Sequence, residues 1–249
     1  MRLPFTLALL SALPLTAQAN ESTRDTRSWS GTAEFGLAIA SGNADSETVN
    51  GKFAFLREED RWFYGINAAA LRAESDDQLS ANRYEAGLKL GYDFTPRAYL
   101  FGTLRHENDD FASYEYQSIA SLGVGYRFLD SERTSLLGEI GPGARRFQPI
   151  DALVGTPPVL TSFDAETNAI VRGSLDFKHQ LTANTALTNL LLAESGSGST
   201  FVQNDLGVAV QMSERFALKA GYQVRHTTEV PVGIEKTDTL FTTNLVVGF

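Results

Sequence analysis

Three histidines, His106, His179 and His226, are the side chains of this 249-residue chain best suited to exchange a proton near neutral pH. The chain has no cysteine, so a nucleophile would have to be a serine or threonine beside one of them. On a strand, the residue two places along lies on the same face. His106 sits in Leu104-Arg105-His106-Glu107-Asn108, with no serine two residues on. His179 abuts a tight turn, and His226 precedes Thr227-Thr228, a poor substitute. The motif of a lipid-active hydrolase is missing. No catalytic residue is assigned, and the chain is expected not to be an enzyme.

Asp109-Asp110, with Glu107 and Asn108, offers oxygen ligands to a hard cation. No EF-hand spacing accompanies them, and a solvated acidic loop accounts for the run more simply. Gly196-Ser197-Gly198-Ser199 lacks the lysine and following helix of a phosphate cradle and reads as a loop. No cofactor or metal is expected.

Charges instead recur at even spacings within their segments: Arg83, Glu85 and Lys89; Arg105 and Glu107; Glu115 and Arg127; Glu139 and Arg145; Arg172 and Asp176; Lys219 and Arg225. Lys52, Lys178, Glu34 and Asp205 extend the set. These are the candidate lining of a lumen. Such charges either select solutes in a polar channel or fill the interior as ion pairs. Both signs are interspersed, with no single-sign ring.

The elements that would place them are long strands. Period-two alternation recurs in about twelve segments, over 29–40, 48–58, 61–73, 82–94, 97–107, 114–128, 134–145, 167–178, 185–194, 200–212, 216–227 and 238–249. Soluble strands average about five or six residues, whereas a tilted membrane strand needs roughly 9–11. In 82–94, Tyr84, Ala86, Leu88, Leu90, Tyr92 and Phe94 oppose Arg83, Glu85, Lys89 and Asp93. A charge on a lipid face costs about 2–4 kcal/mol near the midplane, so the apolar faces are expected outward. The segments 61–73 and 185–194 do not sort cleanly. Tight turns alternate with longer polar connections, the layout of an outer-membrane barrel. Trp29, Trp62, Tyr92, Tyr99, Tyr114, Tyr126 and Phe128 lie near strand ends, where aromatic girdles belong. Gly141-Pro142-Gly143 within a strand predicts a bulge or a close approach of another segment. The 147–166 stretch reads as a long loop.

Arg2, a short apolar run over 3–15 and Ala17-Gln18-Ala19 form a secretory signal peptide, with cleavage expected after Ala19. The run falls short of the roughly 20 residues of a helical span. Residues 20–249 are expected to form one barrel domain. A net charge of −9 argues against nucleic acid as a partner. The expected fold is all-β, a single antiparallel transmembrane barrel of about twelve strands in the outer membrane of a Gram-negative cell. Its expected partners are outer-membrane lipid and lipopolysaccharide, with a small solute or ion possible in the lumen. The last strand alternates Phe241, Leu245, Val247 and Phe249 on one face and ends on an aromatic residue, which looks like the signal read by the barrel assembly machinery.

The run from Tyr116 through Gly125-Tyr126-Arg127-Phe128-Leu129-Asp130 into Gly141-Pro142-Gly143-Ala144-Arg145 is distinctive. With Trp29 and Gly31, Ser41-Gly42-Asn43, Asp110-Phe111 and Val230-Pro231, it resembles the uncharacterised YdiY-like family of salt-induced outer-membrane proteins. That resemblance covers essentially the whole mature chain. It implies a porin-like barrel and expression under salt stress, and it carries no site residues. The expected function is a narrow passive channel or osmotic-stress envelope protein with a charged lumen. The alternatives are a non-conducting structural or adhesive barrel acting through its loops and, less favoured, a lipid-active enzyme.

Overall fold

The computed structural model describes residues 27–40, 46–76, 78–154, 159–231 and 233–249. The expected signal peptide and the connection at 41–45 lie outside these residues. In chain order the strands are β1 Arg27–Ala40, β2 Ser46–Glu59, β3 Trp62–Ser75, β4 Gln78–Asp93, β5 Ala98–Asp109, β6 Tyr114–Asp130 and β7 Thr134–Pro149. They continue with β8 Ala152–Val154, β9 Val159–Thr161, β10 Glu166–Gln180, β11 Thr185–Gly196, β12 Thr200–Gln211, β13 Phe216–Thr227 and β14 Thr237–Gly248. All but β8 and β9 form one closed antiparallel barrel of twelve, in the ring order β1-β14-β13-β12-β11-β10-β7-β6-β5-β4-β3-β2. Successive barrel strands are neighbours, with β7 beside β10, and the ring closes between β1 and β14. Closure leaves no sheet edge around most of the wall, which a spanning sheet requires in lipid.

The alternation sorts side chains as the hydrophobic pattern demands. Phe35, Leu88, Leu104, Leu122, Ile140 and Val171 are exposed on the outside. On the same strands Glu34, Glu107, Ser121 and Glu139 are buried inside. The outer face is therefore an apolar belt, as a transmembrane barrel presents to lipid. Trp29, Trp62, Tyr126 and Phe128 are exposed at the end with the short turns. Tyr99 and Tyr114 depart from the expected girdle and face inward. Tyr99 is 1% exposed and donates to Glu139 at 2.7 Å. Tyr114 donates to Glu107 at 3.0 Å.

Gly141-Pro142-Gly143 forms no bulge. The register of β7 against β10 is unbroken from Phe147 to Thr134, and against β6 it resumes in phase at Val124↔Ile140. Close approach is the reason for the glycines. A Cβ on Gly141 would stand 1.9 Å from the Leu122 carbonyl oxygen and 2.6 Å from the Gly123 Cα, both backbone atoms. The bulges lie elsewhere, at Ser80 on β4, opposite Ala73/Glu74, and at Tyr114/Tyr116 and Arg127/Leu129 on β6. The connection expected as a loop over 147–166 carries the β8–β9 hairpin, in which Leu153 pairs with Leu160. Three-residue strands are too short for alternation to reveal.

Phe249 closes the ring. Its backbone exchanges both hydrogen bonds with Gly31, at 2.9 and 3.0 Å. Its ring lies 6.3 Å from that of Trp29 and 6.2 Å from that of Phe53.

Two glycine variants test the β6–β7 contact. Gly141→Ala should destabilise the refolded barrel by about 1–3 kcal/mol, because backbone cannot yield to the new methyl. Gly173→Ala meets only the Glu139 carbonyl oxygen, at 3.8 Å, and should be near neutral. Denaturant unfolding in liposomes, followed by tryptophan fluorescence, compares them.

Candidate functional site

Inward-facing charge makes the lumen the chemically richest part of the molecule. β4 supplies Arg83, Glu85 and Lys89, and β5 supplies Arg105, Glu107 and Asp109. Arg127 comes from β6, Glu139 and Arg145 from β7, Arg172, Asp176 and Lys178 from β10, and Lys219 and Arg225 from β13. Strand alternation puts each on the face away from the apolar belt.

These groups bond across the lumen. Arg225 on β13 bonds Glu107, and its Nη1 donates to Asp109 Oδ2 at 3.1 Å. β13 is third and β5 ninth in the ring of twelve, so this bridge spans the full width of the barrel. Arg105 Nη2 donates to Glu194 Oε2 of β11 at 2.5 Å, and its Nη1 reaches Glu107 at 3.2 Å and Glu85 at 3.8 Å. Arg83 Nη2 donates to Gln223 Oε1 at 2.8 Å, another near-diametric contact. Gln223 in turn donates to Asp205 at 2.5 Å. Phe201 lies beneath both arginines, 5.7 Å from the Arg105 guanidinium carbon and 5.1 Å from that of Arg225. Glu107 has no solvent exposure at all.

Nearer the short turns the filling changes character. Lys89 bonds Glu139, which also accepts from Arg172 at 3.2 Å. The Lys89 ammonium lies 6.0, 5.9 and 5.6 Å from the ring centres of Phe63, Tyr99 and Phe101. Phe63 and Tyr99 lie flat over their cross-strand partners Gly91 and Gly125, each covering the space a Cβ would occupy. Arg127 pairs with Asp93 at 2.9 Å and covers Tyr99. Beside the seam, Lys219 Nζ donates to both Glu34 oxygens at 2.9 and 3.0 Å. Asn244 links Glu34 to Asn50, at 3.2 Å each. Among the described residues, two cavities lined by charged groups lie between these layers. One, of about 170 Å³, is lined by Glu34, Lys52, Arg83, Lys178, Asp205 and Lys219 among others. The other, of about 130 Å³, is lined by Lys89, Arg105, Glu139, Arg172 and Glu194 among others.

Glu115 does not join the lumen network. It is exposed at the loop end of β6, where the register slips between Tyr114 and Tyr116 and Tyr114 takes the inward place. Arg145 does turn inward, over the Phe147 ring at 5.1 Å. Two network members escaped the sequence reading. Asp109 looks like part of a solvated acidic loop, yet it is the last inward residue of β5; Asp110 alone stays outside, accepting from Asn82 at 2.6 Å. Glu194 lies on β11, whose charge pattern is weak because Leu190 and Leu192 share its inward face.

The histidines all face outward. His106 Nδ1 is 2.8 Å from Ser118 Oγ, a serine on the neighbouring strand that spacing along one strand could not find. His179 bonds Thr134 and His226 bonds Thr237 at the same 2.8 Å, each the residue directly opposite. All three are cross-strand contacts between a ring nitrogen and a hydroxyl, two of them on threonine.

Comparison with known proteins adds relatives without an assigned activity. A family model described as a protein of unknown function, DUF481, matches residues 33–249. The uncharacterized protein YdiY of Escherichia coli (strain K12) is 26% identical over 203 residues, covering 81% of this chain and 75% of that protein. Among solved structures, the translocator domain of the autotransporter NalP from Neisseria meningitidis is 12% identical with a TM-score of 0.45, over 92% of this chain and 90% of that one. The NanC porin is 7% identical with a TM-score of 0.46, over 89% and 98%.

Removing one partner of a buried ion pair strands the other. Arg225→Met should therefore lower unfolding stability by roughly 3–5 kcal/mol. Adding Glu107→Gln and Asp109→Asn should restore much of the loss, because no buried carboxylate is then left unpaired. Liposome unfolding curves of the single and triple variants decide it. A single variant indistinguishable from the parent would mean that lumen water screens the crossing.

Proposed function

The chain belongs to the DUF481 family of unknown function, and from that footing we propose that it is an outer-membrane barrel serving as a narrow passive channel for ions and small polar solutes. One observation carries this reading: the lumen is filled by charged and amide side chains around cavities of about 170 and 130 Å³, large enough for water. An interior built only for strength would be better served by apolar packing, since buried ion pairs add little net stability. In this reading the Arg225 crossing to Glu107 and Asp109 is the constriction. Opening it requires only side-chain motion, because no backbone segment plugs the barrel among the described residues.

The same crossing favours a second reading, a non-conducting structural barrel that acts through its loops. Here the β8–β9 hairpin would be the contact element. Planar-bilayer recording separates the two. The channel reading expects small conductance steps from the parent protein and several-fold larger steps from Arg225→Ser. Silence from both proteins at every voltage would leave the structural reading.

Outer-membrane placement implies export. In this proposal the leader is cleaved after Ala19 and both chain ends face the periplasm, with the longer connections outside among lipopolysaccharide. The intact mass of the protein recovered from outer membranes should correspond to a chain beginning at Asn20. A protein that retains residues 1–19 would refute the cleavage.

A further inference from the structure

The seam where the barrel closes is its shortest ladder. Every other neighbouring pair is matched over eleven to fourteen residues. β1 and β14 are matched over five, from Thr32↔Gly248 to Gly36↔Asn244. The flanking Leu37 N–H still reaches the Thr243 carbonyl, as the alternation of the ladder requires; beyond it, towards the long connections, residues 38–40 pair only with β2 and residues 237–242 only with β13. Two strand edges thus face each other unpaired along the loop-side half of the wall. Neither stretch contains proline, so the sequence permits the ladder to continue, with Leu37 opposite Thr243 and Ala38 opposite Thr242. The wall is open where it could be shut.

What flanks the opening differs inside and out. Outside, Phe35, Leu37 and Phe241 are exposed as part of the apolar belt. Inside, the larger cavity reaches the unpaired stretch, with Leu240 and Thr242 in its lining. Three cations in that cavity, Lys52, Arg83 and Lys178, have no carboxylate within ion-pairing distance among the described residues. Lys52 lies one strand from the seam, opposite Glu34, whose oxygens are taken by Lys219 and Asn244. Arg83 is bonded to an amide oxygen, that of Gln223. Unpaired backbone edges are costly against hydrocarbon alone, and half-buried cations that touch no carboxylate still have room for an anion.

We propose that the loop-side half of the β1–β14 seam is a lateral portal for a single-chain amphiphile with an anionic head. The tail lies along Leu37 and Phe241 in the membrane, and the head passes between the strands to Lys52 and Arg83. The portal is independent of axial conduction, since its path leaves through the wall below the Arg225 crossing.

The absence of native cysteine gives a clean lock. In the continued register Ala38 and Thr242 form an inward-facing, non-hydrogen-bonded pair, the arrangement in which cross-strand Cα atoms come closest. The double variant Ala38→Cys/Thr242→Cys should form a disulfide when oxidised. The probes are dodecanoate and dodecyl phosphate, each carrying a diazirine near the head, in phosphatidylcholine nanodiscs. With the reduced variant, photolabel should reach Glu34, Lys52 and Asn244. Oxidation should cut that inner labelling at least fivefold and leave outer labelling at Leu245 unchanged. Lys52→Gln should reduce inner labelling several-fold without the lock. The two arms tell a carboxylate head from a phosphate head. Equal inner labelling in the oxidised and reduced states would overturn the portal, as would none in either. Hydrogen exchange on the unmodified protein checks the open edge without a variant. Amides of Phe241 and Thr243 should exchange within minutes while those of Leu245 and Val247 stay protected. Uniform protection across all four would mean that the seam is zipped.

Discussion

A strand that crosses hydrocarbon has lipid on one side, so any charge it carries must turn to the other. In a closed ring, the other side is a small shared space. Arg105, Glu107 and Asp109 on β5 and Arg225 on β13 are therefore pressed together although β5 and β13 are six places apart in the ring. The outcome is pairing across the full width, through the Arg225 bridge to Glu107 and Asp109. These charges also fix the register. A slip of one residue would carry Lys89, Arg105 and Arg225 to the lipid face together, at a cost of several kcal/mol for each near the midplane. The network that fills the lumen is thus also what holds the strands in step.

Within that frame the interior is graded. The loop side is ionic, with arginines stacked on Phe201. The turn side pairs Lys89 with Glu139 inside a cage of Phe63, Tyr99 and Phe101. Those rings lie flat on glycines of the next strand, so the wall itself makes room for them. Across the lumen, Ala209, Ala217 and Val246 form a small apolar cluster. An aromatic floor and a charged crossing leave the two cavities between them. The free space is lined by charged and amide groups together with the carbon of neighbouring side chains.

Most of this was legible because period-two alternation is local. The twelve segments matched the twelve barrel strands, and the lining charges fell on the inward face except Glu115. What escaped depended on relations between strands. Tyr99 resembles a girdle residue until its partner Gly125 is known to offer it a berth inside. Ser118 is invisible to a search along the strand of His106 because it arrives from the next one. Glu115 was displaced by a bulge of one residue, which spacing alone cannot foresee. Asp109 and Glu194 were hidden by their settings, an acidic run and a leucine-rich strand. Which cation meets which carboxylate across the lumen has no signature in a single sequence, since it follows from ring order and not from neighbours.

Closure is the one joint that sequence adjacency does not provide. Every other hairpin is held by a connection, but β1 and β14 meet with no covalent link. On the turn side the chain compensates with several devices at once. Phe249 bonds Gly31 through both backbone groups, its ring rests beside Trp29 and Phe53, and Glu34 ties together Lys219 and Asn244 beneath the seam. On the loop side none of these is repeated, and the strands part after Leu37. Cohesion is therefore concentrated at one end of the seam, where the bonds of Phe249 to Gly31 and the stacking of its ring hold the two strands together with no connection between them.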